Sequence, residues 1–448
     1  MLRKISMKAR AFLLALVALP VLSGVVMAGD DAALRHGDVL GPSNWQAAKA
    51  LLPEEILRHY ERGEYTNRIL DLQTLERRAP LIPPDLAEAT LRNRGQYALT
   101  PAGSLIEVQS GTQPEYVMGL PFDRIDPADP QAATKVVWNY FYATWYRGDC
   151  RFLMEVLMFG QRGMERRIVA EYQTRMYDGA PEVRARPNGN NLVLQTLVRV
   201  VSPADLNGTL SLTWRFRDAD RHDALWTYVP GLRRPRQVSP LNRSDGFMGS
   251  DVSLDDGQFF DGKPEDFTFR LLGRQDQLVL MDPHGVSGEA EVLALPEGGW
   301  RIFWKDVARI GSDDPTWKGL PWAPVSAVLV QRPVWLVEMV PKDPNYLYGR
   351  VVLRFDAETF LGTWASKYDR AGTLVASYQV SQGGYYSLDG GRNYVTASGV
   401  GAQIAENFVF KRATVIVFPP RDPDNPADYR LPLAPDLFNP DVLVRLGR

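Results

Sequence analysis

The clearest pattern in the chain is an alternation of apolar and polar positions over residues 209–217. The apolar positions of this segment are Leu210, Leu212, Trp214 and Phe216. The intervening positions hold threonine, serine and arginine, so the two faces differ in polarity. A period of two with one apolar face predicts a strand of an antiparallel sheet that buries one side.

Period-two segments continue through the C-terminal half and predict a large sheet. The other predicted strands are residues 191–201, 224–229, 267–272, 277–281, 300–304, 334–340, 351–356, 361–368 and 373–380. Tight linkers join the last three, so we expect a meander of consecutive hairpins there. No helix-length pattern separates the strands, which argues against parallel βαβ units.

Helical signals are confined to the N-terminal part. Pro53 suits a first helical position, and Gly63 suits the stop of the same helix. Asp129 and Pro130 mark the start of a second helix, whose apolar stripe continues to about Trp145. We therefore predict an α+β fold rather than a helical bundle.

The first 28 residues have the pattern of a secretory signal peptide. The positive charges at its start are Arg3, Lys4, Lys8 and Arg10. An apolar run follows and ends in Val26, Met27 and Ala28, which predicts cleavage after Ala28 and export to the periplasm. No cysteine follows the run, so we predict that the protein is not a lipoprotein. The alternative is a membrane anchor that is retained.

The remaining chain divides into three predicted segments. They are a mainly helical and loop region packed on the sheet (29–150), a sheet domain (151–418) and a Pro-rich tail extended over the surface (419–448). Without the signal peptide, 47 basic residues face 53 acidic ones, a net charge of −6. This balance argues against nucleic-acid binding. The single cysteine, Cys150, excludes an internal disulfide.

The densest cluster of aromatic and charged residues lies between Asp223 and Asp256. Its members are Trp226, Tyr228, Arg233, Arg234, Arg236, Arg243, Asp251, Asp255 and Asp256. The arginines have three possible roles: pairing with the carboxylates to hold a loop, binding an anionic headgroup or partner, or stacking on the aromatic rings. The first reading treats the carboxylates as structural groups at the rim of the sheet.

No catalytic motif accompanies this cluster. The four histidines lack metal-ligand spacing, and Asp251, Ser253 and Asp255 begin a calcium-loop pattern that fails where Asp256 replaces the required glycine. We therefore predict no catalytic residue, no metal and no cofactor.

Several segments in a fixed order resemble the bacterial DUF1329 family. They include ALWTYVPGLRRPRQV (224–238), GFMGSDVSLDD (246–256), LPEEILRHYERGEY (52–65) and GKPEDFTFRLLG (262–273). The resemblance covers nearly the whole chain after the signal peptide. Pro235 stands where such sequences usually continue with valine, which argues against a regular strand at that point.

The resemblance implies a LolA/LolB-like fold, known from outer-membrane lipoprotein-sorting proteins. That fold is a strongly curved antiparallel sheet, a half-open barrel, with helices against its concave face and room for an apolar molecule between them. The resemblance also implies work beside MmpL-like exporters of the RND type and a DUF1302-type outer-membrane protein. It supplies no catalytic residues.

Three functional hypotheses follow. The first is a non-enzymatic periplasmic carrier of a lipid or other hydrophobic molecule, accessory to a trans-envelope transport system. Its candidate ligand-binding residues are Leu210, Leu212, Trp214, Phe216, Trp226, Tyr228, Arg233, Arg234 and Arg236. The second is a scaffold that docks an inner-membrane transporter to an outer-membrane protein without cargo. The third is an envelope hydrolase with a carboxylate pair.

Overall fold

Antiparallel strands dominate the fold of this chain. The computed structural model describes residues 33–73, 81–239, 243–282, 290–304, 308–383, 385–389, 394–396, 402–418 and 425–447. The predicted signal peptide lies outside these residues. The described helices are α1 (Glu54–Glu61), α2 (Pro84–Arg92), α3 (Ala132–Trp145) and the single turn α4 (Leu443–Leu446).

Twenty-two strands lie in the described part of the chain. The N-terminal ones are β1 (Val39–Leu40), β2 (Asn67–Leu70), β3 (Tyr97–Leu99), β4 (Leu105–Glu107), β5 (Cys150–Gly160), β6 (Gly163–Met176), β7 (Leu192–Ser202), β8 (Leu210–Phe216), β9 (Ala224–Tyr228), β10 (Pro235–Val238) and β11 (Phe267–Met281). The others are β12 (Ala290–Ala294), β13 (Trp300–Trp304), β14 (Val328–Pro341), β15 (Arg350–Asp356), β16 (Gly362–Tyr368), β17 (Leu374–Val380), β18 (Tyr385–Ser387), β19 (Tyr394–Thr396), β20 (Ala402–Asn407), β21 (Arg412–Val417) and β22 (Ala427–Tyr429).

Thirteen strands form one antiparallel sheet. Their order is β11-β14-β15-β16-β17-β20-β21-β5-β6-β7-β8-β9-β10. Strand β2 pairs in parallel with the start of β14. At the start of β5, β22 pairs with β5, β13 with β22, and β12 with β13. The predicted meander β15-β16-β17 is confirmed.

The sheet curves around α3. Thirteen strands laid flat would span roughly 60 Å, whereas a helix of 14 residues is only about 21 Å long. Nevertheless, α3 packs into a single core with strands from both halves of the sheet. Tyr140, for example, has its ring centroid 5.3 Å from that of Phe355 in β15, while Val193 and Leu194 of β7 belong to the same core. We call the face toward α3 the inner face.

The outer face is covered by segments from both ends of the chain. Helix α1 and the residues around it pack on β5, β11, β16, β20 and β21. Residues 431–443 pack on the outer face of β7, β8 and β9. The second covering corrects a prediction: the Pro-rich tail does not lie extended over the surface in its described part. It contributes β22 to the sheet, and Phe438 and Leu443 are fully buried.

Most predicted elements are confirmed, with two informative differences. The two strands predicted over residues 267–281 are one strand, β11, which passes Gly273 by a bulge in its pairing with β14. Gly273 has φ of +150°, which glycine adopts without strain and which interrupts the alternation of the sequence. Strand β10 begins at Pro235, where the missing backbone N–H is tolerated, so the proline does not prevent a strand.

The structure therefore confirms an α+β fold built on a large curved antiparallel sheet. Its described strands do not close into a barrel, and the half-open barrel stays a prediction. Among the described helices, none has the length and apolarity that a membrane span requires.

Candidate functional site

A cavity of about 140 Å³ lies between α3 and the inner face of the sheet. Residues 243–261, which we call the roof loop, line the cavity together with α3 and the sheet. The apolar lining residues are Tyr140, Phe141, Trp145, Met154, Tyr172, Leu194, Val198, Phe247, Val252, Leu254, Phe260, Ile416 and Phe418. The cavity is thus mainly apolar, as binding sites for small hydrophobic molecules are.

Short side chains on two neighbouring strands leave this space open. Thr196 and Val198 of β7 pair in register with Thr213 and Ser211 of β8, and all four line the cavity. None of them is long enough to fill the gap beneath α3. The face of β8 that the sequence marks as polar is therefore the face toward the cavity.

The predicted apolar ligand face lies on the opposite side of the sheet. Its members Leu210, Leu212 and Tyr228 are buried against the C-terminal segment, and Trp214 and Trp226 pack at the edge of the same cluster. The two indole rings are in contact, with centroids 5.3 Å apart. The sequence predicted that these five residues contact a ligand, but in the structure they contact other residues of the protein. The C-terminal segment, which was predicted to lie on the surface, covers them.

Phe216, the sixth predicted apolar residue, ends β8. It packs with Tyr177 and Leu192, and the guanidinium of Arg221 lies 3.3 Å from its ring centroid. It also borders a smaller cavity of about 30 Å³ beside Trp138. That space admits little more than a water molecule.

The predicted rim arginines do not meet the predicted rim carboxylates. Arg233 and Arg234 precede the edge strand β10, and Arg236 lies in it. All three are exposed, and none forms an ion pair with a described residue. The carboxylates pair elsewhere: Asp251 with Arg412 (2.8 Å), Asp255 with Arg243 (2.6 Å) and Asp256 with Lys367 (2.5 Å). Of the arginines considered for pairing, only Arg243 closes the loop.

Arg243 belongs to a buried ionic cluster that ties the roof loop to β8. Arg215 of β8 lies 2.9 Å from the carboxylate of Asp223 and 2.8 Å from that of Asp261. Arg243 lies 3.2 Å from Asp223 and 2.6 Å from Asp255. Two guanidinium groups thus share three carboxylates at one end of the cavity.

The pKa values of this cluster follow from burial and pairing. Burial would raise the pKa of Asp223, but Arg215 and Arg243 outweigh it and hold that pKa below its ordinary value. At Asp255 burial prevails over the attraction of Arg243, so the pKa is raised. The cluster is a structural clamp, since each of its three carboxylates has an arginine partner.

Sequence reasoning missed several charged residues of the site, among them Asp261, Arg215 and Arg147. Arg215 occupies a strand face that otherwise carries serine and threonine, and this combination could have marked it as a buried partner for the roof loop. Arg147 lies two residues after the end of α3 and lines the cavity, although only 6% of it is exposed. An arginine just after an apolar helix is usually exposed, so the sequence did not indicate that Arg147 is buried.

Within the described residues, no three histidine, cysteine, aspartate or glutamate side chains converge as metal ligands. Cys150 is fully buried, and burial raises the pKa of its thiol. The cavity lining offers apolar surface, hydroxyl and amide groups, two arginines and the carboxylate of Asp261.

The chain belongs to the DUF1329 family, described as proteins of unknown function, whose profile matches residues 40–407. Among curated proteins, none matches the chain. Three solved structures are similar to parts of it at low identity, as follows.

A DUF1329 family protein from Desulfovibrio piger is 16% identical, with a TM-score of 0.47, over 70% of this chain and 100% of that one. A putative outer membrane lipoprotein-sorting protein domain from Vibrio parahaemolyticus is 16% identical, with a TM-score of 0.45, over 69% of this chain and 97% of that one. A LolA superfamily protein from Nitrosomonas europaea is 13% identical, with a TM-score of 0.39, over 70% of this chain and 99% of that one.

Proposed function

We propose that the protein is a non-enzymatic carrier that binds a lipid or another hydrophobic molecule in the bacterial periplasm. The observation that carries the proposal is the apolar cavity between α3 and the inner face of the sheet. Transfer of an apolar surface from water into such a site contributes about 25 cal/mol per Å². Binding of this kind requires few polar contacts, in keeping with a sequence that carries no catalytic motif.

The size of the cavity limits what it can enclose. Its volume of about 140 Å³ is close to that of engineered apolar cavities, about 150 Å³, that bind a single benzene ring. A ring or the first part of an acyl chain fits this space. A longer molecule either projects from it or displaces the roof loop.

The location and partners in this proposal come from the sequence. Residues 1–28 have the pattern of a cleaved export signal, which supports a periplasmic location for the carrier. The family resemblance suggests a half-open barrel that serves an RND-type, MmpL-like exporter and a DUF1302-type outer-membrane protein. The carrier would pass its cargo between membranes as an accessory of that system.

A scaffold without cargo is the second candidate, and the edge of the sheet favours it. Among the described strands β10 pairs only with β9, so it is an edge strand, and the residues shortly before it, Leu232 and Arg233, are both exposed. An edge strand presents unpaired backbone groups to a partner strand, and arginines at its rim would attract an acidic partner. Cross-linking from Arg234→Cys would capture an envelope partner under this hypothesis, while the cavity would stay empty.

The third candidate, a hydrolase with a carboxylate pair, has less support. The described aspartates Asp251, Asp255, Asp256 and Asp261 are each paired with arginine or lysine. A general acid–base pair needs carboxylates of which at least one is free to exchange a proton with substrate.

The uncharged fluorescent probe N-phenyl-1-naphthylamine tests the carrier function. We expect the purified mature protein to bind it and Thr213→Phe, which fills the cavity, to reduce binding at least tenfold. Thr268→Phe, at an exposed position of β11, is the matched control and should bind normally. Equal binding by all three proteins, or no binding by the unmodified protein, would contradict the proposal.

A further inference from the structure

The cavity contains one arginine that lacks a carboxylate partner. Arg147 is 6% exposed and lines the cavity beside α3. Its guanidinium has one hydrogen-bond partner in the described part of the chain, the hydroxyl of Tyr172 at 3.3 Å. Its Nε is buried and has no partner there. Tyr172 also lies beneath the guanidinium, with its ring centroid 5.9 Å from Cζ.

Three other buried arginines each form an ion pair with an aspartate. Arg215 pairs with Asp223 at 2.9 Å, Arg217 pairs with Asp178, and Arg332 pairs with Asp356 at 2.7 Å. An arginine stays protonated even when it is buried, so an unpaired one carries a cost of desolvation that an anion nearby would offset. Arg147 differs from those three in two respects. It has no carboxylate partner in the described residues, and it lines a cavity.

The other charges of the cavity lining do not supply that anion. They are Arg243 and Asp261. The Asp261 carboxylate accepts from Arg215 at 2.8 Å and from Arg243 at 3.3 Å, and Arg243 is held by Asp223 and Asp255 as well. The ionic cluster is therefore satisfied without Arg147, and in the described part of the chain none of its carboxylates forms an ion pair with the Arg147 guanidinium.

We infer that the ligand of this cavity is an apolar molecule with a carboxylate, such as a fatty acid, whose acidic group pairs with Arg147. This inference rests on the proposed carrier function and names its ligand class. A carboxylate beside Arg147 would accept hydrogen bonds from the guanidinium. The alkyl chain of the ligand would lie against Phe141, Val198 and Ile416, which line the same cavity.

Isothermal titration with octanoate and with octan-1-ol tests the inference, because the two probes share a chain and differ in charge. We expect the mature protein to bind octanoate about ten- to a hundredfold more tightly, which is the range of one charge-assisted hydrogen bond. Arg147→Met should reduce that preference to less than threefold and keep binding of octan-1-ol. Arg147→Lys should retain a preference for octanoate, and Arg124→Met, at an exposed position, should behave like the unmodified protein.

The outcomes separate this inference from the function on which it rests. Equal or tighter binding of octan-1-ol by the unmodified protein would overturn the role of Arg147 and leave the carrier function standing. An undiminished preference in Arg147→Met would do the same. Binding of neither probe would contradict both. Should Arg147→Met fail to fold, the preference of the unmodified protein and of Arg147→Lys decides the matter.

Discussion

The indole Nε1 of Trp214 donates a hydrogen bond to the backbone oxygen of Phe438 at 2.8 Å. This contact joins β8, whose sequence alternates most clearly, to the C-terminal segment. It closes the outer face of the strand, whose apolar residues would otherwise be open to solvent. The segment after residue 425 is therefore part of the hydrophobic core.

The first prediction concerns this closure. Phe438 is fully buried against Leu210 and Leu212, so Phe438→Ala should lower the free energy of unfolding by about 3–5 kcal/mol. Asp436→Ala, at an exposed position two residues earlier, should change it by less than about 0.5 kcal/mol. Urea denaturation measures both. A Phe438→Ala protein as stable as the control would mean that the segment does not seal the sheet.

The second prediction separates the two groups of arginines near the roof loop. Arg243→Met leaves Asp223 and Asp255 short of a partner and should cost about 3–5 kcal/mol of unfolding free energy. The combined change of Arg233, Arg234 and Arg236 to glutamine removes exposed charges and should cost less than about 1 kcal/mol. Thermal denaturation compares them. Unfolding of the triple variant would instead support a structural role for those three residues.

The third prediction is a pH dependence of stability that arises at His59. This buried residue of α1 has Nδ1 2.7 Å from Glu64 and Nε2 2.9 Å from Glu406 of β20. Burial alone would lower its pKa, but the two carboxylates outweigh burial and raise the pKa to about 9. The ordinary value, 6.5, applies to the unfolded chain.

Because the folded protein holds this proton more tightly, the stabilisation is complete below about pH 6.5 and is lost as the pH rises through 9. We expect a loss on the order of 3 kcal/mol between these limits. Asp282, whose pKa burial raises to about 7, also titrates in this window. The difference between the unmodified protein and His59→Gln, measured at pH 6 and pH 9.5, isolates the histidine. Identical pH profiles would refute the assignment.

The fourth prediction is that the Cys150 thiol does not react in the folded protein. It is fully buried, and burial raises its pKa, so the reactive thiolate is scarce and inaccessible. Ellman's reagent should label the thiol rapidly in denaturant. In native buffer, labelling should be no faster than unfolding of the protein. Rapid labelling of the native protein would show that the start of β5 opens to solvent.

The sequence predicted the type of element well, because the relevant information is local. The alternation in β8 and the prolines that precede α1 and α3 are properties of neighbouring positions. The bulge at Gly273 and the union of residues 267–281 into one strand depend on pairing with β14, which lies far away in the sequence.

The candidate site was harder to predict, because a pattern shows that a face is buried but not what buries it. Leu210, Leu212 and Trp214 were assigned to a ligand, whereas the C-terminal segment covers them. The cavity lies on the opposite face because Ser211 and Thr213 are too small to fill the space beneath α3. Nor could local sequence indicate that Arg147 lines this cavity.

The central claim is that the cavity between α3 and the sheet holds a hydrophobic cargo. Native mass spectrometry of protein purified gently from periplasm, followed by solvent extraction, tests it most directly. We predict a bound apolar molecule on the unmodified protein and on Thr268→Phe, and its loss from Thr213→Phe. An empty unmodified protein, or cargo retained undiminished when Thr213→Phe fills the cavity, would contradict the claim.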